Sequence, residues 1–400
     1  MTSTRFRDRC ASRPRIISAL GWMVSTIARW FPITHRHAQE SVPAPVHRHG
    51  DLTITSSVGE PAAMGAALGS AFRHEIPPLL SLMGIRTVPL KLFAAKKLRT
   101  LIGAIPERYR IEITAMAQAS GVDEDKLLAA NALVDTQCSA LVAPATAQRP
   151  QRIARNMDFF PADDLGKGTV LIRFAPVGRH ALVSVGWPGT AGVVSGINDV
   201  GLTACILLNH NGASRVGGEP ILMRIRTLLE TCTTVEAAVE TFGVSPVASG
   251  HYVLIADGTT AAVIWQEPDG VHRHDPTAGW LSCSNGERHQ HGTPADERGL
   301  ALQALVNHSE PDPAWMRQIL TTTYLTGINA QAMLFTPATR TLELALGGPT
   351  TPAALQPWRR IELAGLLAGD APDSVTITDL PKSEPLTHFL DQRPTSGKTP

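Results

Sequence analysis

Asp135-Thr136-Gln137-Cys138-Ser139-Ala140-Leu141-Val142, followed by Arg155-Asn156-Met157-Asp158-Phe159, is the stretch on which the reading of this chain turns. Before it the pattern is helical. Glu60 to Ile76 is spaced through Met64, Leu68 and Phe72, Ala95 to Ile105 continues in kind, and Pro106 opens a further helix. Asp123 is placed to cap a helix through Leu127, Leu128 and Leu133. After Cys138 the texture changes to short strand-like runs: Arg152–Phe159, Thr169–Phe174, His180–Trp187, Gly192–Ile197 and Leu202–Leu208. Their joints are turn-formers such as Trp187-Pro188-Gly189 and Asn198-Asp199-Val200-Gly201. Spacing this close leaves no room for crossover helices and predicts antiparallel pairing.

Further along, helices are predicted at Pro220–Glu230, Val235–Phe242 and Asp296–Val306. Strands are predicted at Tyr252–Ala256 and Ala261–Gln266 around the Asp257-Gly258 turn, and at Ala332–Thr336 and Thr341–Leu346. The order helices, strands, helices, strands is satisfied by helices packed on two antiparallel sheets, an α+β arrangement. The expected division is a basic and apolar extension with a linker over 1–50, a helical segment over 51–137, a core over 138–350 and a loosely held Pro-rich tail over 351–400.

The chain has 400 residues, 43% of them hydrophobic, enough to bury a large core. A net charge of +1 without a recognisable nucleic-acid module gives no ground for a nucleic-acid partner. Five cysteines, an odd number with no C-x-x-C pair, argue against a disulfide scaffold. Arg5 to Arg15 precede an apolar run from Ile16 to Ala28, too short to span a bilayer. A signal peptide, a helix lying on anionic lipid and a plain extension all fit, so the compartment stays open: cytoplasmic, membrane-associated or exported.

The chemistry-bearing residues sit at the helix-to-strand boundary. The chain contains no G-x-S-x-G elbow, P-loop or H-E-x-x-H. If Cys138 starts one strand and Arg155 and Asp158 end its neighbour, the three converge. A guanidinium favours a thiolate, a carboxylate can hold an α-amino group, and a free α-amino group can serve as base for its own side chain. The competing reading is a buried structural cysteine beside an ordinary ion pair.

The motifs resemble the peptidase C45 group, the acyl-coenzyme A:6-aminopenicillanate acyltransferase-like hydrolases, relatives of choloylglycine hydrolases and acid ceramidase. The resemblance runs from about Gly59 to Gly348. It includes Gly59-Glu60-Pro61-Ala62-Ala63-Met64-Gly65, Ile105-Pro106-Glu107-Arg108-Tyr109, Gly121-Val122-Asp123 through Asn131-Ala132-Leu133, the two stretches quoted first, and Gly196-Ile197-Asn198-Asp199-Val200-Gly201-Leu202. It implies a four-layer αββα fold of the N-terminal-nucleophile (Ntn) kind, with two stacked antiparallel sheets and a helical prosegment cut just before Cys138. It implies that Cys138 is nucleophile and, through its amine, base. Arg155 would tune the thiolate and Asp158 would orient the amine. Asn209 and Asn285 would donate to the oxyanion, and Arg298 would be a structural or active-site arginine.

The reaction implied is cleavage or transfer at a linear N-acyl amide through a thioester on Cys138, with no cofactor and with processed fragments that stay associated. The partner is a small N-acyl amide. The sequence departs at Gln137, where the penicillin acyltransferase has glycine. Two other readings remain: an inactive relative that only binds acylated ligands, and a zinc hydrolase using His272, His274, His289 and His291 around Cys283.

Overall fold

The computed structural model describes residues 42–82, 92–133, 136–210, 212, 215, 217–286, 298–299, 301–302, 311–348 and 350–386. The basic and apolar N-terminal segment, His289, His291 and most of the helix expected over 296–306 lie outside the described residues. Among the described residues, no helix is long and apolar enough to cross a membrane.

Two sheets form the centre. The nine-stranded sheet runs in the order β1 (Val46–His49), β2 (Leu52–Gly59), β5 (Val170–Pro176), β6 (Leu182–Gly186), β7 (Ser195–Asn198), β8 (Thr203–Leu208), β9 (His251–Ala256), β10 (Ala261–Glu267) and β11 (Gly270–His274). The seven-stranded sheet runs in the order β12 (Leu281–Ser284), β3 (Gln137–Ala143), β4 (Arg152–Asp158), β13 (Asn329–Thr336), β14 (Thr341–Leu346), β15 (Trp358–Glu362) and β16 (Ile377–Leu380).

Alternation along β3 and β4 shows how the layers stack, because successive side chains on a strand point to opposite faces. Cys138, Ala140, Val142, Ile153 and Met157 join the large core shared with the nine-stranded sheet. Leu141, Ala143 and Ala154 instead pack with Met316, Ile319 and Leu320. Those three belong to helix α9 (Pro313–Thr323), which covers the outer face of the seven-stranded sheet. On the far side, the nine-stranded sheet is covered by α7 (Ile221–Thr231) and by helices that precede Cys138. Asn198 fixes α7 there, its Nδ2 donating to the carbonyls of Leu229 (3.0 Å) and Cys232 (2.9 Å). The layered α+β architecture expected from the sequence is therefore present.

The helices before Cys138 are α1 (Pro61–Ala71), α2 (Ile76–Leu82), α3 (Leu92–Gly103), α4 (Glu107–Ser120) and α5 (Glu124–Ala132). Asp123 caps α5 as expected, accepting from the Lys126 N–H at 3.0 Å. Gly65 lets α1 lie against α4: a Cβ there would stand 1.9 Å from the Glu112 carbonyl oxygen. A buried ionic knot joins α4 to α7. Arg226 makes a bidentate pair with Glu112, both contacts at 2.8 Å, and its Nε donates to Glu230 at 2.8 Å. Tyr109 donates to Glu230 at 3.0 Å. Asn131 of α5 bonds the Gly189 carbonyl and the Ala191 N–H of the loop after β6.

Three expectations are corrected. The segment before Cys138 is not purely helical, since β1 and β2 form an antiparallel pair where a linker was expected up to residue 50. The sheets are not purely antiparallel, since β2 runs parallel to β5 from Thr53↔Val170 to Gly59↔Pro176. Among the described residues, the chain between β2 and β5 includes six helices, the last being α6 (Ala162–Lys167), and two strands of the other sheet, the long connection that a parallel neighbour requires. Finally, the described part of the Pro-rich stretch, residues 350–386, is no loose tail. It supplies β15 and β16, with helix α10 (Ala364–Ala368) between them, and its Trp358 is fully buried against the α9 layer.

Candidate active site

The register of β3 and β4 positions the candidate residues. Cys138 pairs with Met157, Ala140 with Arg155, and Gln137 with Asp158. Residues directly opposite share a face, so Arg155 lies on the face of Cys138 and points with it into the space between the sheets. Its Nη2 donates to Cys138 Sγ at 3.0 Å. The guanidinium is locked by the facing sheet, Nη1 donating to the Val194 carbonyl at 2.9 Å and Nη2 to the Ile206 carbonyl at 2.8 Å. Burial alone would weaken this charge. The sulfurs of Cys138 and Cys205 outweigh it and hold Arg155 above the ordinary guanidinium value. Cys205, on β8, shares Arg155 with Cys138, and its own thiol is pushed up by burial, with Arg155 opposing.

The second bond of the Cys138 sulfur runs to the residue two positions earlier. The thiol donates to Thr136 Oγ1 at 3.4 Å. The Thr136 carbonyl in turn accepts from the Leu208 N–H at 3.4 Å, tying the incoming chain to the end of β8. Both Cys138 and Thr136 are fully buried.

The nitrogen of Cys138 is held separately. Its N–H donates to Asn285 Oδ1 at 2.6 Å. Asn285, just past the end of β12, also accepts from Arg298 Nη2 at 2.7 Å and donates through Nδ2 to the Leu208 carbonyl at 2.6 Å. Two donors converging on one atom establish that atom as the side-chain oxygen. Asn285 thus presents its side-chain carbonyl to the Cys138 nitrogen and one N–H to the Leu208 carbonyl.

Asp158 shares a face with Gln137, so its side chain leaves the sheet on the side opposite the Cys138 sulfur. The three residues therefore do not share one face: Arg155 lies on the side of the sulfur and Asp158 behind the sheet. Asp158 Oδ2 pairs with Arg298 Nη1 at 3.2 Å, and Oδ1 accepts from the Leu325 N–H at 3.2 Å and Asn329 Nδ2 at 2.9 Å. Through Arg298 and Asn285, Asp158 is connected to the Cys138 nitrogen. Burial pushes its carboxyl up to about 6, with Arg298 as the largest opposing influence. Asn209 follows β8 directly and is buried, its N–H donating to the Gly250 carbonyl at 3.2 Å.

Sequence reasoning missed Thr136, Cys205 and Asn329. Thr136 stood inside the decisive stretch, but only the bend of the chain toward β8 turns its hydroxyl to the sulfur. Of the histidine cluster, His272 bonds Asp269 at 2.8 Å and stacks on Trp265, while Cys283 lies buried in the other sheet. Among the described residues, no three His, Cys, Asp or Glu side chains are gathered as a metal site.

The class that can be stated is structural, a layered α+β fold whose two central sheets enclose a buried cysteine beside a locked guanidinium. Residues 146–295 match the model of the family described as acyl-coenzyme A:6-aminopenicillanic acid acyl-transferase. That span contains Arg155, Asp158, Asn209 and Asn285, and lies between Cys138 and Arg298. No curated protein matches the chain.

Similar solved structures include a Caenorhabditis elegans N-acylethanolamine-hydrolyzing acid amidase (NAAA) ortholog. It is 18% identical with a TM-score of 0.43, covering 50% of this chain and 93% of that one. A variant of conjugated bile acid hydrolase from Clostridium perfringens is 13% identical with a TM-score of 0.42, covering 63% and 99%. Penicillin V acylase from Agrobacterium tumefaciens is 13% identical with a TM-score of 0.40, covering 62% and 100%.

Proposed function

We propose that this chain is a self-processing cysteine amidase that cleaves small N-acyl amides through a thioester on Cys138. The observation that supports it most is the treatment of one residue from two directions: its sulfur meets a locked, buried guanidinium at 3.0 Å, and its nitrogen meets Asn285 Oδ1 at 2.6 Å. A structural cysteine needs neither contact, since burial in apolar packing suffices for it.

In this reading the peptide bond between Gln137 and Cys138 is cut first. The freed nitrogen is no longer confined to a peptide plane, and it lies across the strand pair from Asp158. Asn285, Arg298 and Asp158 then orient it. The amine takes the thiol proton, the sulfur attacks the substrate carbonyl, and the proton passes to the leaving amine. Arg155 faces the sulfur throughout. Asn209 and the second N–H of the Asn285 amide are the candidate donors to the oxyanion. Water completes the hydrolysis. The N-terminal fragment stays in place, because it supplies β2 to the nine-stranded sheet and Glu112 to the buried ion pair.

Intact-mass analysis of the purified chain beside Cys138→Ala tests this, together with turnover of a fluorogenic N-acyl amide. The expected outcome is two co-purifying fragments, the larger beginning at Cys138, and turnover in the wild type. The variant is expected to be one inert chain. A wild type that stays whole and fails to label with a thiol-directed amide analogue would leave only a binding role.

A further inference from the structure

Self-cleavage faces a difficulty that later turnover does not. The amine that is to act as base is still locked in the Gln137–Cys138 peptide bond. We propose that the Thr136 hydroxyl is the proton carrier for that first step, an inference that rests on the self-processing reading above.

The geometry behind it is specific. Among the described residues, the Cys138 sulfur has two hydrogen-bond partners of opposite character. Arg155 Nη2 donates to it at 3.0 Å, and Thr136 Oγ1 accepts from its S–H at 3.4 Å. Thr136 is fully buried, so bulk water does not compete for the thiol proton. Its backbone is pinned through its carbonyl to the Leu208 N–H, beside the carbonyl that anchors Asn285. The hydroxyl is thus presented to the sulfur by the chain that is about to be cut.

A hydroxyl both donates and accepts. The thiol proton moves to Thr136 Oγ1 as that hydroxyl's own proton goes to the Cys138 nitrogen. The sulfur lone pair forms a bond to the Gln137 carbonyl carbon, and the C–N bond breaks with its electrons on the nitrogen. The products are a thioester between Gln137 and Cys138 Sγ and a free Cys138 amine. Water then hydrolyses the thioester to a Gln137 carboxylate and the thiol. From that point Thr136 belongs to the other fragment, and the amine takes over as base. The sequence therefore provides a base for one use, placed two residues ahead of the nucleophile.

The test follows cleavage of freshly translated chains in a cell-free system by intact mass. Wild type, Thr136→Val and Thr136→Ser are compared over time. Valine keeps the shape and deletes the hydroxyl, whereas serine restores it and deletes the methyl group. Loss of a proton carrier typically costs about 100-fold or more, so Thr136→Val is expected to cleave about 100-fold more slowly, and Thr136→Ser within about 3-fold of wild type on the same scale.

Melting of each variant in a Cys138→Ala background checks that the precursor folds. If the valine chain does not fold, Thr136→Ala takes its place. Equal rates for Val and wild type overturn the proposal. So does a serine chain as slow as the valine chain, since that marks a packing role. A wild type that never cleaves removes the self-processing reading itself, an outcome distinct from wild-type and valine chains cleaving alike.

Discussion

Replacing Arg226 by Met should loosen the helical layer from the core, by an amount the structure allows to be worked out. Arg226 is fully buried, with Glu112 on two of its nitrogens and Glu230 on a third, and its guanidinium lies 4.0 Å over the Phe174 ring. Methionine keeps much of the apolar stem but leaves the buried Glu112 without its cation, while Glu230 keeps Arg108 at 3.5 Å and Arg179 at 3.7 Å. Breaking a buried pair from one side costs about 3–5 kcal/mol. For a chain of this size that corresponds to a fall of about 4–6 °C in Tm.

The loss should also depend on pH. Burial already holds the Glu112 carboxyl above its ordinary 4.5, with Arg226 the main opposing influence. Without Arg226 it rises further. A carboxyl whose folded-state pKa is raised gives its full stability below the unfolded value and loses it as pH climbs through the folded value. The gap between wild type and variant should therefore be small near pH 4.5 and widen steadily toward pH 8. Calorimetric melts in a Cys138→Ala background, which keeps one covalent chain, provide the measurement. A Tm within 2 °C of the parent at pH 8, or a deficit that does not change with pH, would refute the reasoning about this ion pair.

The remaining predictions concern the site and the C-terminal strands. Asp158, with its carboxyl near 6, should produce an acid limb in the rate of amide hydrolysis, activity falling as pH drops through about 6 and the carboxylate loses its hold on Arg298. Its stability contribution runs the other way and is lost as pH rises through 6, so a rate profile and a melting profile with opposite slopes are expected. In Asp158→Asn the limb should vanish, and a limb that persists assigns it to another group. Trp358→Ala should cost about 3–5 kcal/mol in urea unfolding, as for a fully buried aromatic. A loss under about 1 kcal/mol would mean that β15 and β16 are ornaments on the fold.

Much of the fold was legible because its central strands are short, apolar and punctuated. Asp257-Gly258 marks the β9–β10 hairpin, and Asn198 ends β7 with its side-chain oxygen accepting from the Leu202 N–H at 2.8 Å, which closes the turn into β8. What escaped lies mainly at sheet edges. Val-His-Arg-His in β1 and Gly-Val-His-Arg-His in β11 face solvent on much of their length, so they carry no apolar alternation to read. In β15 only Trp358 and Ile361 are buried, and the prolines around them read as a tail. The stretch is Pro-rich, but proline between strands is compatible with order.

Asp158 shows why the site was only half legible. Spacing between Cys138 and Arg155 or Asp158 fixes nothing until the register of β3 against β4 is known, because a slip of one residue exchanges the faces. With Cys138 opposite Met157, odd-numbered Arg155 shares its face and even-numbered Asp158 does not. That parity has a chemical consequence. A carboxylate beside the sulfur would compete with it for the same cation. Placing Asp158 behind the sheet lets its charge act on the nitrogen through Arg298 and Asn285, while the sulfur keeps Arg155 to itself and Cys205. One residue is thereby met from two sides, by a guanidinium donor at Sγ and by an amide oxygen at N. Under the proposed mechanism, a cysteine that acts as nucleophile and carries a proton on its own freed amine uses that separation.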